Sequence, residues 1–183
     1  TVFLLGPEYS MLREEFWSLP QRVVREIPRN ILVTLGGEDP YHLMPGCLKM
    51  LETLPASFTV TAVIGPFFSH LHAVEAAAAG LSHPVRLVHA PESVRDLMMD
   101  ADLAVSAGGQ TLYELACVGC PTVALCSAGN QEAQLRVFQR AGFLGAGGHA
   151  ADPTLLSALR GAVMALLADG RARAARSAAG QHM

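Results

Sequence analysis

Five residues that follow a predicted strand have the types and spacing needed to hold a phosphorylated ligand. Gly108 and Gly109 allow a sharp turn from the strand into a helix. The backbone N–H groups of Gly109, Gln110 and Thr111 would lie at the helix N-terminus, where the helix dipole favours an anion. Glu114 follows about one helical turn later, so its carboxylate could reach hydroxyl groups of the same ligand. These residues predict a site for a phosphorylated sugar.

The elements around this motif are predicted to form one βαβ unit. Residues 103–106 have the short apolar run of a buried strand, and apolar residues at 112, 115 and 116 form one stripe of the next helix. Gly119 and Pro121 end that helix, and a second strand ends at Cys126. The local pattern also fits an alternative, a tight connection before a helix with a solvated glutamate.

Strands and helices alternate along the rest of the chain in the same way. Further strands are predicted at residues 2–5, 31–35, 58–64, 85–88 and 143–144. Helices are predicted after Pro40 to about Leu54, after a Ser69 cap to Ala79, from Gln131 to Ala141, from Ala151 to Ala168 and after Gly170. Pro45 is expected to kink or delay the first of them. The alternation predicts an α/β fold, a doubly wound parallel sheet with helices on both faces.

Several turns would converge at one edge of this sheet. Ligands of doubly wound sheets sit outside the carboxyl ends of the strands. The turns predicted there are Gly36-Gly37, Gly65, His89-Ala90, Gly108-Gly109 and Gly129-Asn130. Before the first strong strand, residues 11–17 predict a helical turn with Leu12, Phe16 and Trp17 packed inward.

The sequence from Ser106 to Pro121 resembles the nucleotide-diphosphate-sugar motif in the carboxyl-terminal domain of GT-B enzymes. It is similar to the lipid II-forming N-acetylglucosaminyltransferases and, more closely, to the UDP-sugar hydrolases of pseudaminic acid biosynthesis. Residues 4–16 resemble the junction that precedes this domain in the hydrolases. The resemblance implies a Rossmann-like fold, the carboxyl-terminal half of a GT-B fold. It divides the chain into an interdomain junction and first strand at residues 1–30 and a nucleotide-sugar-binding domain at residues 31–183.

Three other segments carry the resemblance. The turn at residues 36–40 resembles a Gly-Gly-Ser-Asp-Pro turn of the hydrolases, so Gly36 and Gly37 are site candidates. Glu38 replaces the serine and would repel a phosphate if it faced inward, and Asp39 alternatively only caps the next helix, with Pro40 at its first position.

The two remaining segments follow other strands. Main-chain groups near His89 and Ala90 would contact a uracil edge. Asn130 and Gln131 match an amide pair that reaches the sugar or the diphosphate, although Asn130 also fits a helix cap.

The resemblance implies a domain that binds a UDP-sugar within an enzyme that releases an acetamido sugar from UDP. The family's catalytic histidine lies in an amino-terminal domain, and no match to it occurs here, so no catalytic residue is predicted in this chain. We expect the isolated chain to bind UDP with little or no turnover. Two alternatives stay open, the donor domain of a GT-B glycosyltransferase and a non-catalytic flavodoxin-like interaction module.

The composition limits the class of protein. The chain has 183 residues, is 51% hydrophobic and has a formal net charge of -3, which predicts one ordinary domain and argues against nucleic-acid binding. No apolar run approaches a membrane span and no leader is visible, so a soluble, cytoplasmic location is expected. The four cysteines lie in apolar surroundings and are expected to be reduced.

No metal or cofactor is predicted. Asp100 and Asp102 have the spacing of a divalent-ion motif but would lie at the amino end of their strand, away from the ligand edge. Cys117 and Cys120 have the spacing of a redox or zinc pair, yet no second pair accompanies them. The glycines at 145, 147 and 148 lack the surroundings of a dinucleotide fingerprint. His70, His72, His83 and His89 lack metal spacing and are not predicted to be catalytic.

Overall fold

The structure is a computed structural model that describes residues 9–183. The strand predicted at residues 2–5 lies outside the described residues. Within these described residues there are six strands: β1 Asn30–Thr34, β2 Thr59–Ile64, β3 Val85–His89, β4 Leu103–Ala107, β5 Thr122–Cys126 and β6 Leu144–His149. The helices are α1 Met44–Glu52, α2 Leu71–Ala79, α3 Arg95–Asp100, α4 Gln110–Cys117, α5 Glu132–Arg140, α6 Leu155–Ala168 and α7 Gly170–Gln181. Short 3-10 turns lie at Glu14–Phe16 and Gly129–Gln131.

The strands form one parallel sheet in the order β3-β2-β1-β4-β5-β6. This order confirms the doubly wound fold. The chain adds strands in one direction from β1 to β3 and in the other from β4 to β6. The carboxyl ends of β1 and β4 therefore flank the point where the order reverses, which is where such sheets bind ligands.

Both faces of the sheet are covered, because alternate residues of the central strands point to opposite sides. Ile31 and Val33 of β1 belong to the core beneath α1, α2 and α6. Leu32 belongs to the core on the other face, beneath α3, α4 and α5. The buried β1, β4 and β5 are nearly continuous apolar runs, as expected for parallel strands between two helical layers.

Three predicted helix starts differ from the structure. Helix α6 begins at Leu155 rather than at Ala151. Helix α1 begins at Met44 with Pro45 in its first turn, so it starts later than Pro40, which is the delay expected from Pro45. The side chain of Asp39 nevertheless caps it, because its carboxylate accepts from the backbone N–H groups of Leu43 (2.9 Å) and Met44 (2.8 Å). Helix α2 begins after His70, and Ser69 does not cap it.

Two other predicted features differ at the ends of the chain. Phe16 is buried as predicted, but Trp17 is exposed, since the 3-10 turn is too short to turn both rings inward. Strand β6 extends through the glycines to His149 instead of ending at residue 144. A Cβ atom on Gly147 would lie 2.4 Å from Leu159 Cδ2, so this glycine allows α6 to pack closely on the edge strand.

Candidate functional site

The turn between β4 and α4 presents the start of a helix at the carboxyl edge of the sheet. Gly109 has φ +115° and ψ −163°, a conformation that is essentially restricted to glycine. Gln110 and Thr111 follow in the first turn of α4, where backbone N–H groups have no acceptor within the helix. A Cβ atom on Gly109 would meet nothing within 4 Å, so the turn is open on that side.

One of the three predicted N–H donors is already engaged. The N–H of Gly109 donates to Gln134 Oε1 at 2.8 Å, and Gln134 Nε2 donates back to the carbonyl of Gly109 at 2.8 Å. The expectation of a free N–H at Gly109 was therefore wrong. Gln134 was missed from the sequence, although its position three residues after Gln131 places both amides on the same side of α5. Gln134 fixes the unusual backbone of the turn.

Gln131 lies beside the same turn, as the sequence predicted. A Cβ atom on Gly108 would lie 2.7 Å from Gln131 Cβ and Oε1, so only glycine allows this approach. Gln131 Oε1 accepts from the backbone N–H of Ser127 at 2.9 Å and from its hydroxyl at 3.2 Å. Asn130 is exposed in the preceding 3-10 turn and does not cap α5.

The turn after β1 packs against the turn after β2. Gly36 has φ +84°, and the carbonyl of Gly37 accepts from the backbone N–H of Phe67 at 2.9 Å. A Cβ atom on Gly65 would lie 2.3 Å from the Gly37 carbonyl oxygen, which requires glycine there. Glu38 is exposed. Since β1 and β4 are neighbours, the Gly36-Gly37 turn lies next to the Gly108-Gly109 turn.

A buried Asp39–His70 pair holds the first of these turns. Asp39 Oδ2 lies 3.0 Å from His70 Nε2, and the two side chains are 2% and 8% exposed. His70 Nδ1 is buried without a hydrogen-bond partner among residues 9–183. The ring of His42 stacks on that of His70 at 4.2 Å, while the backbone of Asp39 and His42 has φ of +47° and +52°. Asp39 thus caps the start of α1 as that interpretation predicted, but Pro40 is not the first residue of the helix, and the contact with His70 was not predicted.

The loop after β3 is less closely associated with the other turns. His89 and Ala90 are exposed, and Ala90 has φ +37°. The N–H of Ala90 donates to the carbonyl of Ile64 at 2.8 Å, so it is engaged in extending the sheet. Because β3 is three strand spacings from β4, about 14 Å, this loop and Gly109 could meet only opposite ends of one ligand.

Glu114 is buried beneath an arginine from the segment that precedes β1. Its side chain is 6% exposed, and Oε1 accepts from Arg13 Nε at 3.1 Å and Nη2 at 3.0 Å. Burial raises the pKa of Glu114 above its ordinary value, and the paired Arg13 opposes that rise. Gln110 also contacts this segment, since its Nε2 donates to the carbonyl of Met11 at 2.9 Å.

The other acidic and thiol motifs have structural roles. Asp102 accepts from the backbone N–H groups of Arg29 (2.7 Å) and Asn30 (3.0 Å) and pairs with Arg25, at the amino end of β4. Cys117 and Cys120 are free thiols, and Cys120 is buried. Among residues 9–183, no three His, Cys, Asp or Glu side chains are grouped to hold a metal ion. In the same part of the chain, no helix has the length and apolarity to span a membrane.

A cavity beside α4 is not the predicted site. It has a volume of about 160 Å³ and is lined by Leu12, Tyr113, Phe138 and residues of α7. Pockets for small ligands usually exceed about 300 Å³. The candidate site is instead the open surface made by the turns after β1, β4 and β5.

Comparison with known proteins finds relatives in sequence and in structure. The chain matches no protein-family model. It is 31% identical over 157 residues to the spore coat polysaccharide biosynthesis protein SpsG of Bacillus subtilis, covering 82% of this chain and 46% of SpsG. It is 28% identical over 131 residues to the uncharacterized protein MJ1062 of Methanocaldococcus jannaschii, covering 68% of this chain and 27% of that protein. The chain thus spans less than half the length of these relatives.

Solved structures show the same architecture. MurG of Acinetobacter baumannii matches 86% of this chain over 46% of its own, with a TM-score of 0.69 and 18% identity. The spinosyn rhamnosyltransferase SpnG, in complex with thymidine diphosphate, matches 93% of this chain over 43% of its own, with a TM-score of 0.63 and 15% identity. The predicted Rossmann-like fold of the GT-B type is confirmed. That this chain is the carboxyl-terminal half of such a fold stays a prediction. The finer resemblance to pseudaminic acid pathway hydrolases stays a prediction.

Proposed function

We propose that residues 31–183 are the nucleotide-sugar-binding domain of a GT-B enzyme in polysaccharide or nonulosonate biosynthesis, acting on a UDP-sugar. The observation that carries this proposal is the open start of α4 beside the point where the strand order reverses. Gly109 there adopts a backbone that only glycine tolerates, and Gln131 lies against Gly108.

The proposed chemistry assigns binding to this chain. The N–H groups of Gln110 and Thr111 would hold the diphosphate, because they carry partial positive charge and lack helical acceptors. The amide of Gln131 would reach the sugar or diphosphate, and Glu114 would accept from ribose hydroxyls. Gly36, Gly37 and Asn130 would border the ligand, and His89 and Ala90 would lie at its base.

We favour hydrolysis as the reaction. A water molecule would attack the anomeric carbon, the bond from that carbon to the β-phosphate oxygen would break, and UDP would leave with its charge held at α4. The base that takes the proton from water would belong to an amino-terminal domain joined through residues 1–30. The role of SpsG in spore coat polysaccharide biosynthesis and the thymidine diphosphate bound to SpnG support a nucleotide-sugar ligand. A cytoplasmic location stays a prediction.

Calorimetric titration with UDP tests the site. We expect saturable binding that Gly109→Asp weakens at least tenfold, because a carboxylate would face the diphosphate and the backbone would be strained. Gly161→Asp is the matched control, since this glycine lies on the exposed side of α6 with nothing within 4 Å of a Cβ atom. Equal weakening by both variants would contradict the site. Absence of any nucleotide binding would favour an interaction module.

A second experiment separates hydrolase from transferase. The full-length protein would be incubated with UDP-N-acetylglucosamine and related UDP-acetamido sugars in water alone. Free sugar released in step with UDP supports hydrolysis. Turnover only after addition of an acceptor extract would support the alternative, a glycosyltransferase. The isolated chain is expected to bind but not to turn over either mixture.

A further inference from the structure

Two residues proposed to bind the nucleotide are held by the segment that precedes β1. We call residues 9–17 the junction segment. Its Arg13 donates twice to Glu114, and its Met11 carbonyl accepts from Gln110. Both contacts join residues about 100 positions apart in sequence, so they arise from the fold and not from local geometry.

Arg13 also reaches the loop proposed to hold the base. Its Nη1 donates to the carbonyl of Glu92 at 3.3 Å and lies 3.2 Å from Glu15 Oε1. Arg13 therefore bridges the loop after β3 and the carboxylate of α4, which is the space a nucleoside would cross. Its side chain is 48% exposed, whereas that of Glu114 is 6% exposed. The arginine thus covers the carboxylate from the solvent side.

We propose that Arg13 is a latch that occupies the ribose position of the nucleotide site, and that nucleotide binding releases the junction segment. The inference rests on the proposed function. Two N–H groups of Arg13 converge on one oxygen of Glu114, and the two hydroxyls of a ribose diol could replace them donor for donor. Exchange leaves the buried carboxylate hydrogen-bonded throughout, whereas removal of Arg13 without replacement would leave it unpaired.

Release would connect the nucleotide site to the chain that precedes it. The contact between Gln110 and the Met11 carbonyl belongs to the same segment, so it would be lost when the ribose diol displaces Arg13 from Glu114. Since binding and release are linked, whatever pulls the junction segment away from α4 must raise nucleotide affinity by the same factor by which nucleotide favours release.

Trp17, the single tryptophan of the chain, provides a fluorescence signal for release of the junction segment. Trp17 ends the junction segment, is 73% exposed, and donates from Nε1 to the Leu12 carbonyl at 3.0 Å. We expect UDP to change the fluorescence anisotropy of Trp17 with the same midpoint as binding measured by calorimetry. The 2′,3′-dideoxy analogue of UDP, which retains the diphosphate but lacks the diol, should bind without this change.

Substitution of Arg13 gives the second test. Arg13→Gln should bind UDP about three- to tenfold more tightly than the unmodified chain, because the ligand no longer displaces a competing group. Its Trp17 anisotropy without ligand should match that of the UDP-bound unmodified chain. Arg160→Gln, which removes an exposed arginine that contacts Thr53 on another helix, is the control and should change neither quantity.

The outcomes distinguish the latch from the proposed function. UDP binding with unchanged Trp17 anisotropy, weaker binding by Arg13→Gln, or an equal anisotropy change with the dideoxy analogue would each overturn the latch and leave the nucleotide site intact. Absence of UDP binding to both the unmodified chain and Arg13→Gln would overturn the proposed function and the latch together.

Discussion

Gly109 has a backbone conformation in the candidate site that residues other than glycine tolerate poorly. Its φ of +115° is costly for any side chain, but a Cβ atom would meet no neighbour within 4 Å. We expect Gly109→Ala to lower the free energy of unfolding by about 1–3 kcal/mol, through strain alone. Gly129→Ala is the control, because a Cβ atom there is equally free and the φ is ordinary, so its effect should stay within about 0.5 kcal/mol. Urea unfolding of both variants measures the difference; equal effects would contradict it.

Glu114 makes stability depend on pH. Burial raises its pKa in the folded chain, so between the unfolded and folded pKa values the folded state binds more protons. Its contribution to stability therefore falls as pH rises through that window. We expect the stability of the unmodified chain relative to Glu114→Gln to decrease as the pH rises above the ordinary glutamate pKa of about 4.3. Urea unfolding at several pH values measures this, and a relative stability that increases with pH would show that the Arg13 pair outweighs burial.

Local sequence could indicate some site residues and not others. The Gly-Gly turn before α4 follows from a short-range pattern, because glycine and helix-start requirements act within a few residues. Gln131 was predicted only from the resemblance to a family. Arg13 and the His70 contact of Asp39 could not be predicted, since each depends on segments brought together by the whole sheet. Gln134 could have been predicted from helical spacing, because it lies three residues after Gln131.

At the scale of elements, Arg173 joins α6, α7 and the segment before β1. It is fully buried, and its guanidinium donates to the carbonyls of Leu166, Leu167, Arg25 and Glu26. The first two lie in the last turn of α6, where carbonyls lack helical donors and favour a cation. Arg173 therefore satisfies carbonyls at the end of α6 and fixes the segment before β1 against that helix.

We expect Arg173→Met to lower the free energy of unfolding by about 2–4 kcal/mol, because four carbonyls lose their donor while the side-chain volume is nearly kept. Arg173→Lys should be intermediate, since it keeps the charge but loses the planar fork. Arg171→Met is the matched control, because this arginine is exposed on the same helix. Urea midpoints measure all three; an effect of Arg173→Met as small as that of Arg171→Met would contradict the role.

The six described strands were predicted with nearly correct bounds except β6. Apolar runs of four to six residues identify buried parallel strands well. The glycines at 145, 147 and 148 made the sixth strand hard to recognise, because glycine is uncommon within strands. Gly147 is required by the close packing of α6, which is a tertiary effect, and Gly148 has a φ of +113°. Helix starts at Met44 and Leu71 shifted for a related reason: irregular loops made by Asp39 and His70 precede them.

At the scale of the whole molecule, one sheet separates two apolar cores, each with its own buried thiol. Cys47 packs beneath α1 and Cys120 packs on the opposite face. Burial raises the pKa of Cys47 to about 12 and that of Cys120 to about 11. Since the thiolate is the reactive form, neither should react with a thiol reagent while the domain is folded.

The sheet shared by both cores should make their exposure simultaneous. Variants that keep only Cys47 or only Cys120, with alanine at the other cysteines, would be labelled at increasing urea concentrations. We expect the two opening free energies to agree within about 0.5 kcal/mol after correction for each variant's own stability, because β1 and β4 cannot leave one core without disrupting the other. Earlier labelling of Cys120 would show that the face carrying α4 opens separately. The nucleotide site and the latch would then belong to a subdomain that unfolds on its own.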